Sequence, residues 1–297
     1  MRVAIIDLGS NSIRMNVIDI SDGKAVVLEN IRTIVRLSEG MGDECLLQKN
    51  AVDRTLKVLA EFKEVIDKME VDEVRAIGTA ALRTAKNREL FTIPANEMGI
   101  AFEIISGERE AYYDYMGVVN TLDVTDCIIV DIGGASTELI YVKDGVNVDM
   151  VSIPMAAVNI TEKYFSGTVA TDDEIKTSKD AFTEKLREVK WLLDVENVEI
   201  VGIGGTIRAL AKMQNIPDFM VHGFTMDKEL TFSKIYELVK MPIETRASID
   251  GIGKGRADII LGGVVPLLAI MDYIDSPKLT SCVSSLREGV MYDIIKK

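Results

Sequence analysis

Asp7 and Asp131 each close an apolar run and lead into a glycine turn. The two segments are Ile5-Ile6-Asp7-Leu8-Gly9-Ser10-Asn11-Ser12 and Ile129-Val130-Asp131-Ile132-Gly133-Gly134-Ala135-Ser136. In both, a serine stands five residues after the aspartate. Seven residues after it comes a charged side chain, Arg14 in the first copy and Glu138 in the second. A strand–glycine turn–strand lines up backbone N–H groups in a concave arc that can hold an anion, and the missing Cβ lets phosphate approach closely. A carboxylate that ends a buried strand is costly to desolvate unless it is hydrogen-bonded or bound to metal. Mg²⁺ takes one or two carboxylates plus water and substrate oxygens, which makes Asp131 and Glu138, with Asp7, candidate ligands. Arg14 would offer its cation to phosphate. If the loops face each other across a cleft, a cation on one wall and a carboxylate on the other make a phosphoryl-transfer site, where positioning and charge neutralisation do most of the catalysis.

A third glycine loop, Gly202-Ile203-Gly204-Gly205-Thr206, joins a strand to a helix starting near Thr206. A helix N-terminus presents N–H groups and a positive dipole end, so it too suits an anion. Any one such loop reads equally well as a tight turn; three in one chain do not. The lone histidine, His222, cannot assemble a zinc site by itself and reads as structural. No Gly-x-x-x-x-Gly-Lys-Ser/Thr loop is present, which removes the commonest nucleotide fold.

Composition narrows the ligand further. The 297 residues carry a formal charge of −13, and neither side of residue 120 is basic. The broad positive footprint of a nucleic-acid binder is missing, so a phosphate-rich ligand would need local arginines, backbone N–H groups or metal. The three cysteines (Cys45, Cys127, Cys282) form no disulfide or zinc spacing and read as small core residues of a protein in a reducing compartment. The N-terminus does not read as a signal peptide, and the apolar stretch Ile259 to Ile270 is short and contains Pro266. A cytoplasmic protein without a membrane span is expected.

The elements that must position these residues alternate between strand and helix. Strands are expected at Arg2 to Leu8, Ile13 to Ile20 and Lys24 to Ile31, with Ser21-Asp22-Gly23 as a hairpin turn. Helical periodicity runs from Asn50, a plausible N-cap, to Met69. A strand Glu73 to Gly78, a helical stretch around Arg83 to Leu90, a strand Phe102 to Ile105 and a helix from Ser106 to about Leu122 follow. The opening pattern then recurs, with a second Asp-Gly turn at Asp144-Gly145, which points to an internal duplication. Helices near 155–165 and 172–193, a strand Val198 to Ile203, and helices to the C-terminus complete the reading.

The duplicated Asp-x-Gly loops resemble those of the actin, hexokinase and sugar-kinase superfamily. Within it, the chain is similar to the exopolyphosphatase / guanosine pentaphosphate phosphatase (Ppx/GppA) family. Asp7-Leu8-Gly9-Ser10-Asn11-Ser12 and Asp131 to Glu138 resemble its two phosphate loops. Gly78-Thr79-Ala80-Ala81-Leu82-Arg83, Ser106-Gly107-Glu108-Arg109-Glu110-Ala111, Gly204-Gly205-Thr206, Arg256-Ala257-Asp258 and Leu286-Arg287-Glu288-Gly289 extend the match. The resemblance implies an α/β fold of two ribonuclease H-like (actin/hexokinase-type) domains facing an interdomain cleft. The first would span residues 1–122, with a helix at 284–297 packing back on it, and the second 123–276. It implies Glu110 as the acid that activates the attacking water and Glu138 as a second key carboxylate assisting metal or water. Arg83 would hold phosphate. Asn11, Ser12, Gly133, Gly134, Ser136 and Thr137 would line the loops, with Gly204, Gly205 and Thr206 at the third. Without the resemblance, Glu110 reads as one charge on an exposed helix face.

The implied activity is Mg²⁺-dependent (or Mn²⁺-dependent) release of terminal phosphate from inorganic polyphosphate or from pppGpp, a guanosine pentaphosphate, by a protein that forms homodimers. Two alternatives stand beside it: an ATP-dependent small-molecule kinase of the same superfamily, and a non-catalytic sensor of polyphosphate or (p)ppGpp. Ala135 replaces the third glycine of the usual run, Arg109 replaces the first of two paired glutamates, and Tyr112 stands where arginine often follows. Val283 and Ser285 also depart from the pattern. None removes a matched acid.

Overall fold

The computed structural model describes residues 1–296. Its elements, in chain order, begin with β1 (Arg2–Leu8), β2 (Ser12–Ser21), β3 (Lys24–Ile34), α1 (Lys49–Lys68), β4 (Glu73–Gly78) and α2 (Ala80–Thr84). Next come α3 (Glu89–Glu97), β5 (Phe102–Ile104), α4 (Gly107–Val119), β6 (Cys127–Ile132), β7 (Thr137–Lys143) and β8 (Val146–Ile153). Then follow α5 (Ala157–Tyr164), α6 (Asp172–Arg187), β9 (Glu199–Ile203), α7 (Gly205–Lys212), β10 (Thr225–Asp227) and α8 (Lys228–Val239). The last are α9 (Ile243–Ala247), α10 (Ile260–Tyr273), β11 (Lys278–Ser281) and α11 (Leu286–Ile295). The chain divides into two compact units, one of Met1–Gly117 with the segment from Leu286 onward, the other of Val118–Ser285.

The first unit is built on a five-stranded sheet in the order β3-β2-β1-β4-β5. β1 pairs antiparallel with β2 and parallel with β4. Successive side chains of a strand point to opposite faces, and β1 shows the consequence. Ala4, Ile6 and Leu8 join Leu59, Phe62 and Phe91 in one core, while Val3 and Ile5 join Tyr113, Leu286 and Val290 in another. Asp7 falls by the same alternation on the side covered by α4 and α11.

The second unit carries a six-stranded sheet in the order β10-β11-β9-β6-β7-β8. Its core gathers Ile128, Val130, Phe182, Ile200, Leu210 and most of α10. Ile260 to Met271 of α10 are all buried, which accounts for the apolar stretch noted in the sequence. Among the described residues no helix is long and apolar enough to cross a membrane.

The two sheets repeat one plan. β1-β2-β3 and β6-β7-β8 are antiparallel meanders, and each first strand also pairs in parallel with the strand that follows the next helices, β4 or β9. The register slips at Val17/Ile18 in one meander and at Tyr141/Val142 in the other. Both hairpins turn on a left-handed pair, Asp22-Gly23 (φ 50° and 70°) and Asp144-Gly145 (φ 51° and 73°), the turn whose twist suits a two-residue hairpin. This is a mixed α/β fold of two ribonuclease H-like halves, of the actin/hexokinase type.

Several local expectations are corrected. The N-cap of α1 is Gln48, not Asn50, and no side chain caps it. The stretch around Arg83 to Leu90 is not one helix. Asn87 bonds the backbone of Leu47 in both directions, at 2.8 and 3.1 Å, and Ala85 is extended, so α2 and α3 are separate. Such side chain–backbone pairing competes with helix formation. The helix expected to reach 193 ends at Arg187, followed by a 3₁₀ turn at Lys190–Asp194. β10 and β11 had no counterpart in the sequence reading, being three and four residues long. Cys127 and Cys282 are buried, whereas Cys45 is half-buried on a positive-φ turn.

Candidate active site

In the first unit the loop after β1 is closed by Gly9 N–H donating to the Ser12 carbonyl at 3.0 Å. Its other carbonyls are tied to the chain beyond β3. Ser10 O accepts from Ser38 N–H at 3.1 Å, and Asn11 O accepts from Val35 and Arg36 N–H at 3.1 and 3.0 Å. Leu8 O accepts from Thr79 N–H at 3.1 Å, which docks the Gly78-Thr79 segment on the loop. The loop is therefore anchored through its carbonyls. Asn11 and Ser12 are half-buried.

Asp7 stands directly opposite Arg14 across the β1–β2 pair. Burial pushes its carboxyl above the ordinary value, against the pull of Arg14 and Arg287, with Glu288 adding to the rise. The carboxylates drawn close together as a possible metal group are those of Asp131 and Glu138, while the charged groups acting on Asp7 are Arg14, Arg287 and Glu288.

Glu110 lies in the first turn of α4. Ser106 caps that helix as expected, its Oγ accepting from Arg109 N–H at 3.1 Å. Arg83 Nη1 donates to Glu110 Oε2 at 2.9 Å and to the Ile105 carbonyl at 3.2 Å. The side chains of this pair are 23% and 12% exposed. Glu110 is thus part of a half-sheltered ion pair, not the lone exposed charge that a bare helix reading gives. One turn further along α4, at the i+4 spacing that shares its face, Asp114 is fully buried. The sequence reading missed Asp114, whose only signal was that spacing.

In the second unit the loop after β6 is closed as the first is, Gly133 N–H donating to the Ser136 carbonyl at 3.1 Å. Here the anchor is the start of α5. Ala157 and Val158 N–H donate to the Gly133 and Gly134 carbonyls at 3.3 and 2.7 Å, and Asn159 Nδ2 donates to Ala135 O at 3.0 Å. Ser136 is buried. Thr137 is also buried, and its hydroxyl donates to Met155 O at 2.7 Å, so that side chain is turned into the protein.

Asp131 faces Glu138 across the β6–β7 pair, in the place that Asp7 and Arg14 take in the first unit. One carboxylate oxygen of each lies within 4.8 Å of the other. Glu138 is 1% exposed, and its Oε1 accepts from Ser152 Oγ at 2.7 Å. A close pair of oriented carboxylates is a hard oxygen donor set, the kind that suits Mg²⁺ or Mn²⁺.

The third loop lies against this pair. A Cβ on Gly204 (φ +100°) would come 2.7 Å from Ile132 O and 3.0 Å from Asp131 Oδ1, so only glycine permits the approach. Arg256 lies across Gly205, where a Cβ would fall 1.8 Å from its Cζ. It brings a cation to the start of α7 that no sequence reading of single residues had assigned. Thr206 is buried with its Oγ1 against Gly263 of α10, leaving its side chain on the inner surface. His222 bridges backbone, Nε2 to Thr121 O at 3.0 Å and Nδ1 accepting from Val283 N–H at 3.3 Å, a structural placement.

Comparison with known proteins agrees with this geometry. The family model described as the Ppx/GppA phosphatase family matches residues 16–297, beginning just after the first loop and Arg14. A crystal structure of the Aquifex aeolicus member of the Ppx/GppA protein family is 31% identical, with a TM-score of 0.83 over 100% of this chain and 98% of that one. A structure described as the Aquifex aeolicus PPX-GPPA enzyme is 32% identical, with a TM-score of 0.81 over 99% of each chain. An exopolyphosphatase from Cytophaga hutchinsonii shares the fold at 24% identity, with a TM-score of 0.93 over 100% of this chain and 98% of that one. With its twin glycine loops, its acid at the head of α4 and a family match over nearly its whole length, the chain belongs to the Ppx/GppA phosphatase family.

Proposed function

We propose that this protein is a metal-dependent phosphoanhydride hydrolase that releases the terminal phosphate of inorganic polyphosphate or of pppGpp. The observation that carries the reading is the Arg83–Glu110 pair at 2.9 Å, a carboxylate held in a fixed pose at the head of α4. The oxygen of water attacks the terminal phosphorus and its proton passes to Glu110. The bridging P–O bond breaks, which leaves orthophosphate and a chain one phosphate shorter. In the first unit Arg14, Arg83 and the N–H groups of the Gly9 loop suit the negative oxygens of phosphate, and in the second the N–H groups of the Gly133 and Gly204 loops do, the role that electrostatic stabilisation has in phosphoryl transfer. Asp131 and Glu138 would hold a divalent cation, which supplies further neutralisation of phosphoryl charge. Asp7 serves as the counter-charge to the arginines around it.

Phosphate release is measured on tripolyphosphate, long-chain polyphosphate and pppGpp, with Mg²⁺ and after chelation. The proposal expects metal-dependent release from at least one of the three. Saturable binding without release, or transfer of label from ATP to an acceptor in place of hydrolysis, contradicts it.

A further inference from the structure

We infer that the first unit carries a second ligand site, which takes a small zwitterion: an α-amino acid with an apolar side chain. The site is a cavity of about 340 Å³ over the β4–β5 edge of the five-stranded sheet, lined also by α4 and α11. None of its lining residues belongs to the Gly9 loop. The hydrolase reading leaves the cavity unused, and with it Arg109, one of the residues that depart from the family pattern.

Alternation along the two strands supplies the lining. On β4, Val74 and Ala76 pack with the core of Leu59 and Phe62, while Ile77 joins Tyr113 and Val290 on the opposite face. Arg75 shares the face of Ile77. Across the parallel pair, Glu103 stands beside Ile77. Phe102 turns the other way and meets Phe91 edge-on, with 5.2 Å between ring centroids. At the entry to β5 the side chain on the Glu103 face is Ala101, too short to fill the corner. β5 is three residues long and outermost in its sheet, so no further strand closes the space. The floor is apolar, with Ile77, Tyr113 and Val290 all buried.

The rim carries charge of both signs. Arg75 is steadied at its Nε by Glu73 Oε1, at 2.5 Å. Arg109 is held by its own helix. Its Nη2 donates to Tyr113 Oη at 2.8 Å, and its Cζ lies 4.5 and 5.1 Å from the ring centroids of Tyr113 and Tyr112, within cation–π reach. From α11, Asp293 Oδ2 stands 3.7 Å from the same Nη2, an ion pair too long for a hydrogen bond. Glu103 supplies a second carboxylate. Two guanidiniums and two carboxylates therefore surround an apolar floor. A phosphate chain is repelled by Glu103 and Asp293, and a simple amine by the two arginines. A zwitterion pairs with both signs: its carboxylate takes a guanidinium fork, its ammonium a carboxylate, and its apolar side chain the Ile77–Val290 floor. The volume falls within the roughly 300–1,000 Å³ of small-molecule pockets, which combine an apolar lining with a few polar groups that orient the ligand.

The test is calorimetric binding of L-leucine, L-methionine and L-phenylalanine to the full chain. Saturable binding of at least one is expected. Its amide, which lacks the carboxylate, and its N-acetyl form, which lacks the ammonium, are each expected to bind at least about tenfold more weakly, the scale of one hydrogen bond to a charged group. Arg75→Gln combined with Arg109→Gln, and Glu103→Gln combined with Asp293→Asn, are each expected to weaken the parent's binding by at least about tenfold as well. No saturable binding of any of the three overturns the inference. Equal binding of the amide or the N-acetyl form, or parental affinity in either doubly changed chain, also overturns it. If a doubly changed chain does not fold, the amide and N-acetyl comparisons on the parent decide.

Discussion

Arg83 holds Glu110 from the side, one Nη1 atom donating both to the carboxylate at 2.9 Å and to the Ile105 carbonyl at 3.2 Å. The carbonyl belongs to the segment that leads into α4, so a single guanidinium nitrogen ties the acid to the backbone just before its own helix. That fixes the direction of the carboxylate more firmly than an exposed ion pair could.

If orientation is what Arg83 supplies, Arg83→Met is expected to lower phosphate release by about 10- to 100-fold, with the larger change in kcat. Arg83→Lys is expected to recover only part of the loss, because an ammonium lacks the planar fork of guanidinium. Steady-state kinetics on tripolyphosphate check this. Equal activity of the methionine variant and the parent would remove Arg83 from the site.

Asp131 and Glu138 are assigned to the cation, so Glu138→Gln is expected to raise the Mg²⁺ concentration needed for half-maximal activity by at least about tenfold. Ser152→Ala removes the hydroxyl that orients Glu138 at 2.7 Å and is expected to shift the same quantity less. Mg²⁺ titrations of activity read both. An unchanged requirement in Glu138→Gln contradicts the assignment.

The capping box of α6 gives a pH-dependent test of stability. Glu174 accepts from Thr171 and Ser166 N–H at 2.8 and 3.0 Å, while Thr171 Oγ1 accepts from Glu174 N–H at 3.2 Å. These bonds, the Thr171 backbone first, lower the Glu174 carboxyl from 4.5 to about 2. A lowered folded-state value stabilises above the unfolded value and loses that stabilisation as pH falls toward 2. Glu174→Gln is therefore expected to lower the melting temperature of the second unit at pH 6 to 7. By about pH 2 the difference from the parent is expected to close. A difference that is constant across pH contradicts the reading.

Gly289→Ala tests the docking of α11. Its new Cβ would meet the Tyr113 carbonyl oxygen at 1.8 Å and the carbonyl carbon at 2.6 Å, both backbone atoms. The cost is expected to be about 3 kcal/mol, the upper part of the usual range for overpacking, seen as lower thermal stability of the first unit. An unchanged melting temperature would show that α11 is free to shift.

Much of the architecture could be read from residue order alone. The two Asp-x-Gly loops, their Asp-Gly hairpins and the Arg14/Glu138 asymmetry all depend on period-2 alternation and on glycine at turns, which are local properties. What stayed hidden depends on tertiary partners. Thr137 opens β7 and Thr206 lies in the first turn of α7, and both turn inward, to Met155 and Gly263, which sequence spacing does not reveal. Leu286 and Val290 meet Val3 and Ile5 only because α11 returns to β1 from far along the sequence. Glu110 looked like surface charge because its partner Arg83 lies in another helix. The split of α2 from α3 turns on Asn87 finding Leu47, again a contact distant in sequence.

Replacing Glu110 by glutamine keeps shape and hydrogen bonding but removes the proton acceptor, so its effect on turnover and on binding decides the central claim. Phosphate release from tripolyphosphate and pppGpp by Glu110→Gln is expected to fall by roughly 10²- to 10⁴-fold, while calorimetric affinity for the same ligands stays within about threefold of the parent. Release at the parental rate, with binding intact, would contradict the assignment of water activation to Glu110.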